Sequence, residues 1–309
     1  MRQSQESVTS FKEYAVSGSA EKESLAYRRF TPEDIAAAHG LSVAVSWPHR
    51  PEDWRFAADA GSGFVAEEAG VVIGTALCWK FGTDRATLGM VIVSPEHQGR
   101  GLGRKLMELV LEETGGRVTF LHATRAGQPL YEKLGFRACG ALDQHQGAVF
   151  QPPLVSLPPG ERLRPLGAND TPQLIELASR ACGLERSAVL PALLQNADGI
   201  ALDRDGELLG FALFRRFGRG YAIGPVVAAD SPDSSRAKAL IRHWLALNEG
   251  AFVRIDVPAG SGLTDWLIGL GLPRVDTVVK MVRNADPSRH EAAPDTLFRQ
   301  FAIINQAMA

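Results

Sequence analysis

From Leu25 onward the chain switches between apolar positions spaced by two and apolar positions spaced by three to four. LAYRRF, starting at Leu25, predicts a strand. Thr31-Pro32-Glu33-Asp34 then supplies an N-cap Thr, Pro at the first helical position and an acid three residues after the cap. A second helical stretch, 51–60, follows the loop Ser46-Trp47-Pro48-His49-Arg50. Three strand-like runs come next, at 63–68, 71–81 and 86–93, with turn signals at Glu68-Ala69-Gly70 and Gly82-Thr83-Asp84. A helix is predicted over 99–114, where Leu102, Leu106, Leu109 and Val110 keep helical spacing, and Gly115-Gly116 ends it. The pattern then predicts a strand at 118–124, a short helix at 127–134 and a returning strand at 137–149.

Four prolines between Phe150 and Gly160 forbid both a continued helix and a central strand, so 150–160 reads as a linker. Beyond it the order restarts: RLRPLG as a strand, Asp170-Thr171-Pro172 as a helix start, then strands at 199–203 and 208–215. Gly70, Gly74, Ala76 and Leu77 recur 136 residues later as Gly206, Gly210, Ala212 and Leu213, and Gly135 recurs as Gly271. A constant offset with matched element order predicts a duplicated domain. The expected division is a flexible tail at 1–24, a domain at 25–149, the linker, a second domain at 161–284 and a C-terminal tail at 285–309. An amphipathic piece at 296–308 in that tail, with Leu297, Phe298, Phe301, Ile303 and Ile304, is expected to dock on a domain or a partner chain.

Composition narrows the function. The chain has 309 residues, 45% of them hydrophobic and 22% charged, which is ordinary globular usage. The net charge of −2 lacks the footprint of a general nucleic-acid binder. No apolar run reaches about 18 residues, and the first 24 lack a signal-peptide core, so neither a membrane nor an export route is expected. Cys78, Cys139 and Cys182 form no CxxC pair, which argues against a metal knuckle or a disulfide framework. Buried thiols of a cytoplasmic protein are the simpler reading.

The informative stretch runs from Leu88 to Lys105. A strand enters a short loop, and Gly99, Gly101 and Gly103 lead into a helix N-terminus. Free amides and the helix dipole there make an anion site, with Arg100 and Arg104 adding charge. A phosphate loop of the Gly-Lys-Ser/Thr kind does not fit Gly103-Arg104-Lys105-Leu106, and the dinucleotide fingerprint does not fit a loop five residues beyond the strand. A purely structural glycine loop stays open.

Gln98-x-x-Gly101-x-Gly103, preceded by Val91-Ile92-Val93-Ser94-Pro95, resembles the signature of the GNAT superfamily of N-acetyltransferases. Tyr131 with Leu134-Gly135-Phe136 is similar to the family's second motif. The resemblance covers residues 25–149 well and 161–284 more weakly. It implies an α/β (α+β) fold of two GNAT-like domains, each a mixed, mostly antiparallel sheet flanked by helices. It also implies an acetyl-CoA site, without a metal. Val91, Ile92 and Val93 would offer backbone bonds to the pantetheine arm. Gln98, Gly99, Arg100, Gly101, Leu102, Gly103 and Arg104 would cradle the pyrophosphate. Thr124 stands where many members have Asn, and its hydroxyl can still donate and accept.

The same resemblance gives Tyr131 the task of protonating the leaving thiolate; the alternative is a tyrosine packed near Phe136. For the base, Glu67, Glu68, Asp84 and His122 stay open. Trp47, His49 and Trp54 flank the loop that in the family walls the acceptor site, and core packing by the tryptophans is the competing reading. At the 136-residue offset Ser234, Ala237 and Ala239 replace Gln98, Gly101 and Gly103, and Leu267 replaces Tyr131, which marks the second domain as degenerate and leaves it to shape the acceptor pocket or an interface. The expected activity is acetyl transfer from acetyl-CoA to the amine of a small molecule. A non-catalytic acyl-CoA-binding sensor or scaffold is the alternative, and a homodimer is left open.

Overall fold

The computed structural model describes residues 25–285, 295 and 297–309; the expected tail at 1–24 lies outside them. In the first half β1 (Leu25–Arg29), α1 (Ile35–Ala44) and α2 (Pro51–Asp59) precede the meander β2 (Ser62–Glu68), β3 (Val71–Phe81) and β4 (Arg85–Val93). After it come α3 (Leu102–Thr114), β5 (Val118–Ala123), α4 (Gln128–Lys133) and β6 (Arg137–Ala148). The second half repeats the order. It runs β7 (Glu161–Pro165), α5 (Thr171–Cys182), α6 (Leu190–Leu194), β8 (Asp198–Arg204), β9 (Glu207–Phe217) and β10 (Gly220–Ala229), then α7 (Ser235–Leu247), β11 (Phe252–Pro258), α8 (Thr264–Gly269) and β12 (Arg274–Arg283).

The duplication is visible in chemistry as well as in order. Arg28 grips Asp34 through both terminal nitrogens at 2.8 Å, and the Thr31 amide donates to the same carboxylate. Arg164, Asp170 and the Gly167 amide, each 136 residues on, repeat this clamp. Gly70 and Gly206 turn the same hairpin with φ of 77° and 89°, values that favour glycine.

Each half is a mixed, mostly antiparallel sheet with helices on both faces. In the first half, alternate residues of β3 separate the two layers. Leu77, Trp79 and Phe81 pack with α1 and α2, whereas Ala76 and Cys78 pack under Leu102, Leu106, Met107 and Val110 of α3. Cys78 and Cys139 are buried and Cys182 is half-buried. No helix among the described residues is long and apolar enough to cross a membrane.

The two halves are joined by exchange. Strand order is β1-β2-β3-β4-β5-β12-β6-β11-β10-β9-β8-β7. β12, from the second half, pairs antiparallel with β5 of the first, and β6, from the first, pairs antiparallel with β11 of the second. β6 and β12 also pair with each other, so one sheet runs through both halves.

The expected C-terminal tail carries a further strand, β13 (Phe298–Ala302), paired antiparallel with β10. Within the expected docking piece, Phe298–Ala302 is thus a strand and 306–308 form a turn, while Thr296 lies outside the described residues. Phe301, Ala302, Ile303 and Ile304 are all buried. Phe301 is fully enclosed in the core of the second half, beside β9, β10, β11 and α7. Replacing Phe301 by Ala should destabilise the protein by about 3–5 kcal/mol, the usual range for an aromatic removed from a core. Denaturant titration measures this, and an unchanged midpoint would mean that β13 contributes nothing to the core.

Candidate active site

The site begins with a break in strand pairing. β4 runs parallel to β5 only through Arg85–Thr87, opposite Val118–Phe120. On its other edge, β4 carries an irregularity against β3: Leu77 faces Gly89 and Thr75 faces Ile92, so Met90 and Val91 together face Ala76. This is a β-bulge, with Met90 at φ 54°. The buried Thr75 hydroxyl donates to the Met90 carbonyl at 2.8 Å and holds the bulge in place. Beyond Thr87 β4 leaves β5, and a cleft of about 700 Å³ opens between them.

Of the residues expected at a CoA site, Val91, Ile92, Val93, Gln98, Gly99, Gly101, Leu102, Gly103, Arg104, Thr124 and Tyr131 all line this cleft. Gly99 and Gly101 have φ of 78° and 81°, and a Cβ on either would meet no atom within 4 Å. They are therefore required by backbone angle, and the space above them is open. Gly101 is the N-cap of α3, so the first-turn amides of the helix face that space without intrahelical partners. Arg100 is the exception: it turns to the Glu68 carboxylate at 3.0 Å. Arg104 pairs with Glu108, and the Gln98 amide folds back on the Val93 carbonyl.

Tyr131 sits at the other wall, edge-on to Phe136. The Gly127 amide donates to the Thr124 hydroxyl at the start of α4. A Cβ at Gly127 would stand 3.3 Å from the Tyr131 hydroxyl and 3.4 Å from the Thr124 oxygen, so Gly127 leaves room for both groups. Burial pushes the Tyr131 phenol up to about 12, which keeps it protonated at any physiological pH.

A second cavity, about 280 Å³, lies between the halves. Met90, Gly89, Trp47, His122 and Thr124 line both it and the cleft. Trp47 and His49 line the second cavity as expected, whereas Trp54 is fully buried and donates its indole N–H to Ser42. The aromatic wall is completed by Phe217 of the second half, 5.5 Å edge-on from His49.

The four base candidates separate. Glu67 pairs with Arg28, Glu68 with Arg100 and His97, and Asp84 is beside Arg85 at the β3–β4 turn. Only His122 of these four lines both cavities. Its Nδ1 lies 2.8 Å from the Gln306 carbonyl, which can only accept, so Nδ1 carries the proton and Nε2 keeps a lone pair. Burial lowers the His122 pKa to about 4.

The corresponding region of the second half is closed. β10 pairs with β11 at Tyr221–Ile223 and then parts from it. β13 takes up the freed edge at Val226–Ala229, and the Ile303 amide donates to the Asp256 carbonyl of β11. The loop before α7 is also three residues shorter than the loop before α3. Structure therefore sets Ser234, at φ 54°, opposite Gly101, which corrects the constant-offset match of Ser234 to Gln98. Leu267 does stand at the place of Tyr131, fully buried.

The second half was expected to shape the acceptor pocket or an interface, but the particular residues that it and 305–307 supply were not singled out. Arg215, Phe217 and Arg254 line the inter-half cavity with Asn305, Gln306 and Ala307. One signal was available. At the 136-residue offset Arg215 stands opposite Trp79, a fully buried strand position, and a charged residue at a core position marks a special environment.

Comparison with known proteins agrees with this geometry. Residues 30–136 match a family model described as Acetyltransferase (GNAT) family, and residues 174–294 match one described as Acetyltransferase (GNAT) domain. The chain is 32% identical to the uncharacterized N-acetyltransferase YitH of Bacillus subtilis (strain 168) over 194 residues, 62% of this chain and 67% of that protein. It is 35% identical to mycothiol acetyltransferase of Acidothermus cellulolyticus over 137 residues, 39% of this chain and 42% of that one. Among solved structures, a candidate acetyltransferase of Pyrococcus horikoshii superposes with a TM-score of 0.72 at 20% identity, covering 97% of this chain and 99% of the other. A tandem GNAT protein from the clavulanic acid biosynthesis pathway gives 0.62 at 15% identity, covering 85% and 99%.

The buried imidazoles make stability depend on pH. Burial lowers both His49 and His122 to about 4, below the ordinary value of 6.5. Between those values the unfolded chain binds more protons than the folded one. Stability is therefore complete above pH about 6.5 and falls as pH drops toward 4, by up to about 1.4 kcal/mol per pH unit for each imidazole. Urea midpoints from pH 7 to 5 should show this slope, and His122→Asn should remove about half of it; a flat profile would contradict the burial of both rings.

Proposed function

Since the chain belongs to the GNAT family of acetyltransferases and carries two GNAT domains, we propose that its first half binds acetyl-CoA and acetylates the amine of a small molecule held between the halves. The observation that carries this reading is the meeting of the two cavities at Met90, His122 and Thr124. The residues present fit acetyl-CoA. The unpaired edge of β4 at Val91–Val93 can hydrogen-bond an extended amide-bearing arm. The open space over Gly99 and Gly101, with the first-turn amides of α3, suits a pyrophosphate. When bound, acetyl-CoA supplies the thioester carbonyl that the amine attacks.

The protein's own groups manage the protons. An ammonium with an ordinary pKa near 10 is too weak an acid to give its proton to His122 directly. The acceptor attacks as the neutral amine, its ammonium proton having passed to solvent, and His122 Nε2 takes the second proton from nitrogen as the N–C bond forms, when that nitrogen becomes far more acidic. The Tyr131 hydroxyl holds the proton for the departing sulfur. Giving a proton from a phenol of pKa about 12 to a free thiolate of about 8.5 is uphill in water. The same burial also raises the thiol, which narrows the gap.

Tyr131→Phe removes only the donor, so kcat should fall by about 100-fold or more with acetyl-CoA affinity nearly unchanged. Equal kcat across the pH range would make Tyr131 a packing residue.

Calorimetry should find one acetyl-CoA per chain, because β13 occupies the equivalent edge in the second half. Gly101→Glu should abolish that binding while the fold is kept. Two equivalent sites, or full affinity in Gly101→Glu, would refute the assignment.

A further inference from the structure

The inter-half cavity has an electrostatic imbalance. Three guanidinium groups line it: Arg215, Arg219 and Arg254. Arg254 is matched, holding Asp256 through Nε and Nη2, with Nη2 at 2.7 Å. Arg219 is exposed at the rim. Arg215 is 7% exposed, and among the described residues no carboxylate lies within ion-pair distance of it. Its Nη2 donates to the Ile304 carbonyl at 3.0 Å, and its Nε is buried with no partner.

The nearby carboxylate is already committed. Asp53 accepts from the Arg50 side chain, from the Arg50 amide and from the Gly218 amide. Asp276 is exposed. The Phe217 ring lies under both Arg215 and Arg254 and gives a cation a favourable face without neutralising it. Leaving a charged donor buried and unpaired costs several kcal/mol, so such a group commonly awaits a partner. The fold does not require it: the equivalent strand position in the first half is Trp79, which fills its space with an indole.

We propose that the acceptor amine carries an anionic group, a carboxylate or a phosphate, which Arg215 receives, with Arg219 drawing it in from the rim. This rests on the acetyl-transfer reading above and adds the substrate class to it. The cavity sets the scale. At about 280 Å³ it is at the small end of ligand sites, which fits an acceptor of amino-acid size with its amine at His122 and its anion at Arg215.

The test uses matched probes on the full chain with CoA present: α-, β- and ω-amino acids against their amides, and amino-alcohol phosphates against the parent alcohols. Calorimetry should show the acids or phosphates binding at least tenfold tighter than their neutral partners. Arg215→Gln should lose that advantage while CoA binding is unchanged, and Arg215→Lys should restore part of it. Which of the two anionic series binds tighter identifies the group. Equal binding of charged and neutral probes, binding of neither, or full retention of the advantage in Arg215→Gln overturns the proposal. If Arg215→Gln does not fold, the wild-type comparison of acid with amide still decides. Thiol release from acetyl-CoA is scored separately. Arg215-dependent anion binding without any amine-stimulated release would leave this site standing and sink acetyl transfer.

Discussion

Two parallel strands that separate inside a sheet leave a row of backbone donors and acceptors that must be met by something. The rest of this molecule is arranged around that requirement, which arises twice. β4 leaves β5 after Thr87, and β10 leaves β11 after Ile223. In the second half the chain answers it internally, with β13 laid along β10 and continued by the Ile303 bond to β11. In the first half the edge faces a cleft whose far wall is the bare N-terminus of α3. One fold thus yields a filled core in one copy and an open cleft in the other.

The exchange of β6 and β12 explains why the site is shared. Because each half gives its last strand to the neighbouring sheet, backbone hydrogen bonds cross the seam between halves, alongside a hydrophobic cluster that joins α1 and α2 of the first half to α5 and α6 of the second. Phe217, Arg215 and Arg254 are thereby held against Trp47, His49 and His122 by a continuous ladder. A cut at the proline-rich linker would leave β5 and β11 each without the strand that completes it. The second half, though its own cleft is filled, becomes the opposite wall of the cavity next to the first.

Legibility in the sequence followed the range of the interactions. The helix start at Thr31-Pro32, the glycine loop and the duplicated hairpin are local, set by a few neighbouring residues, and the structure has them where the pattern indicated. The family resemblance rested on that local chemistry. What escaped was non-local. The strand exchange leaves no mark on periodicity, since β6 and β12 are ordinary strands whichever sheet receives them. Phe298, Phe301 and Ala302 stand at helix spacing, and the vacant edge of β10 decides for a strand. His122 was one candidate among four until the Gln306 carbonyl fixed its tautomer. A three-residue shortening before α7 displaced the constant-offset alignment there, because one offset cannot describe a repeat whose loops differ in length.

Residues 303–309 reach from the closed half into the open one. A Cβ on Gly89 would come within 2.6 Å of the Ala307 Cβ, the Gln306 side chain meets Gln144, and Arg186 holds the carbonyls of Met308 and Ala309. This short segment touches the inter-half cavity at Asn305–Ala307 yet belongs to neither the β4–β5 cleft nor the two duplicated frameworks. Under the proposed function, changes within this handful of residues would re-cut the cavity wall while leaving the cleft at Gly99, Gly101 and Tyr131 and both folds intact, so what is acetylated could change independently of how.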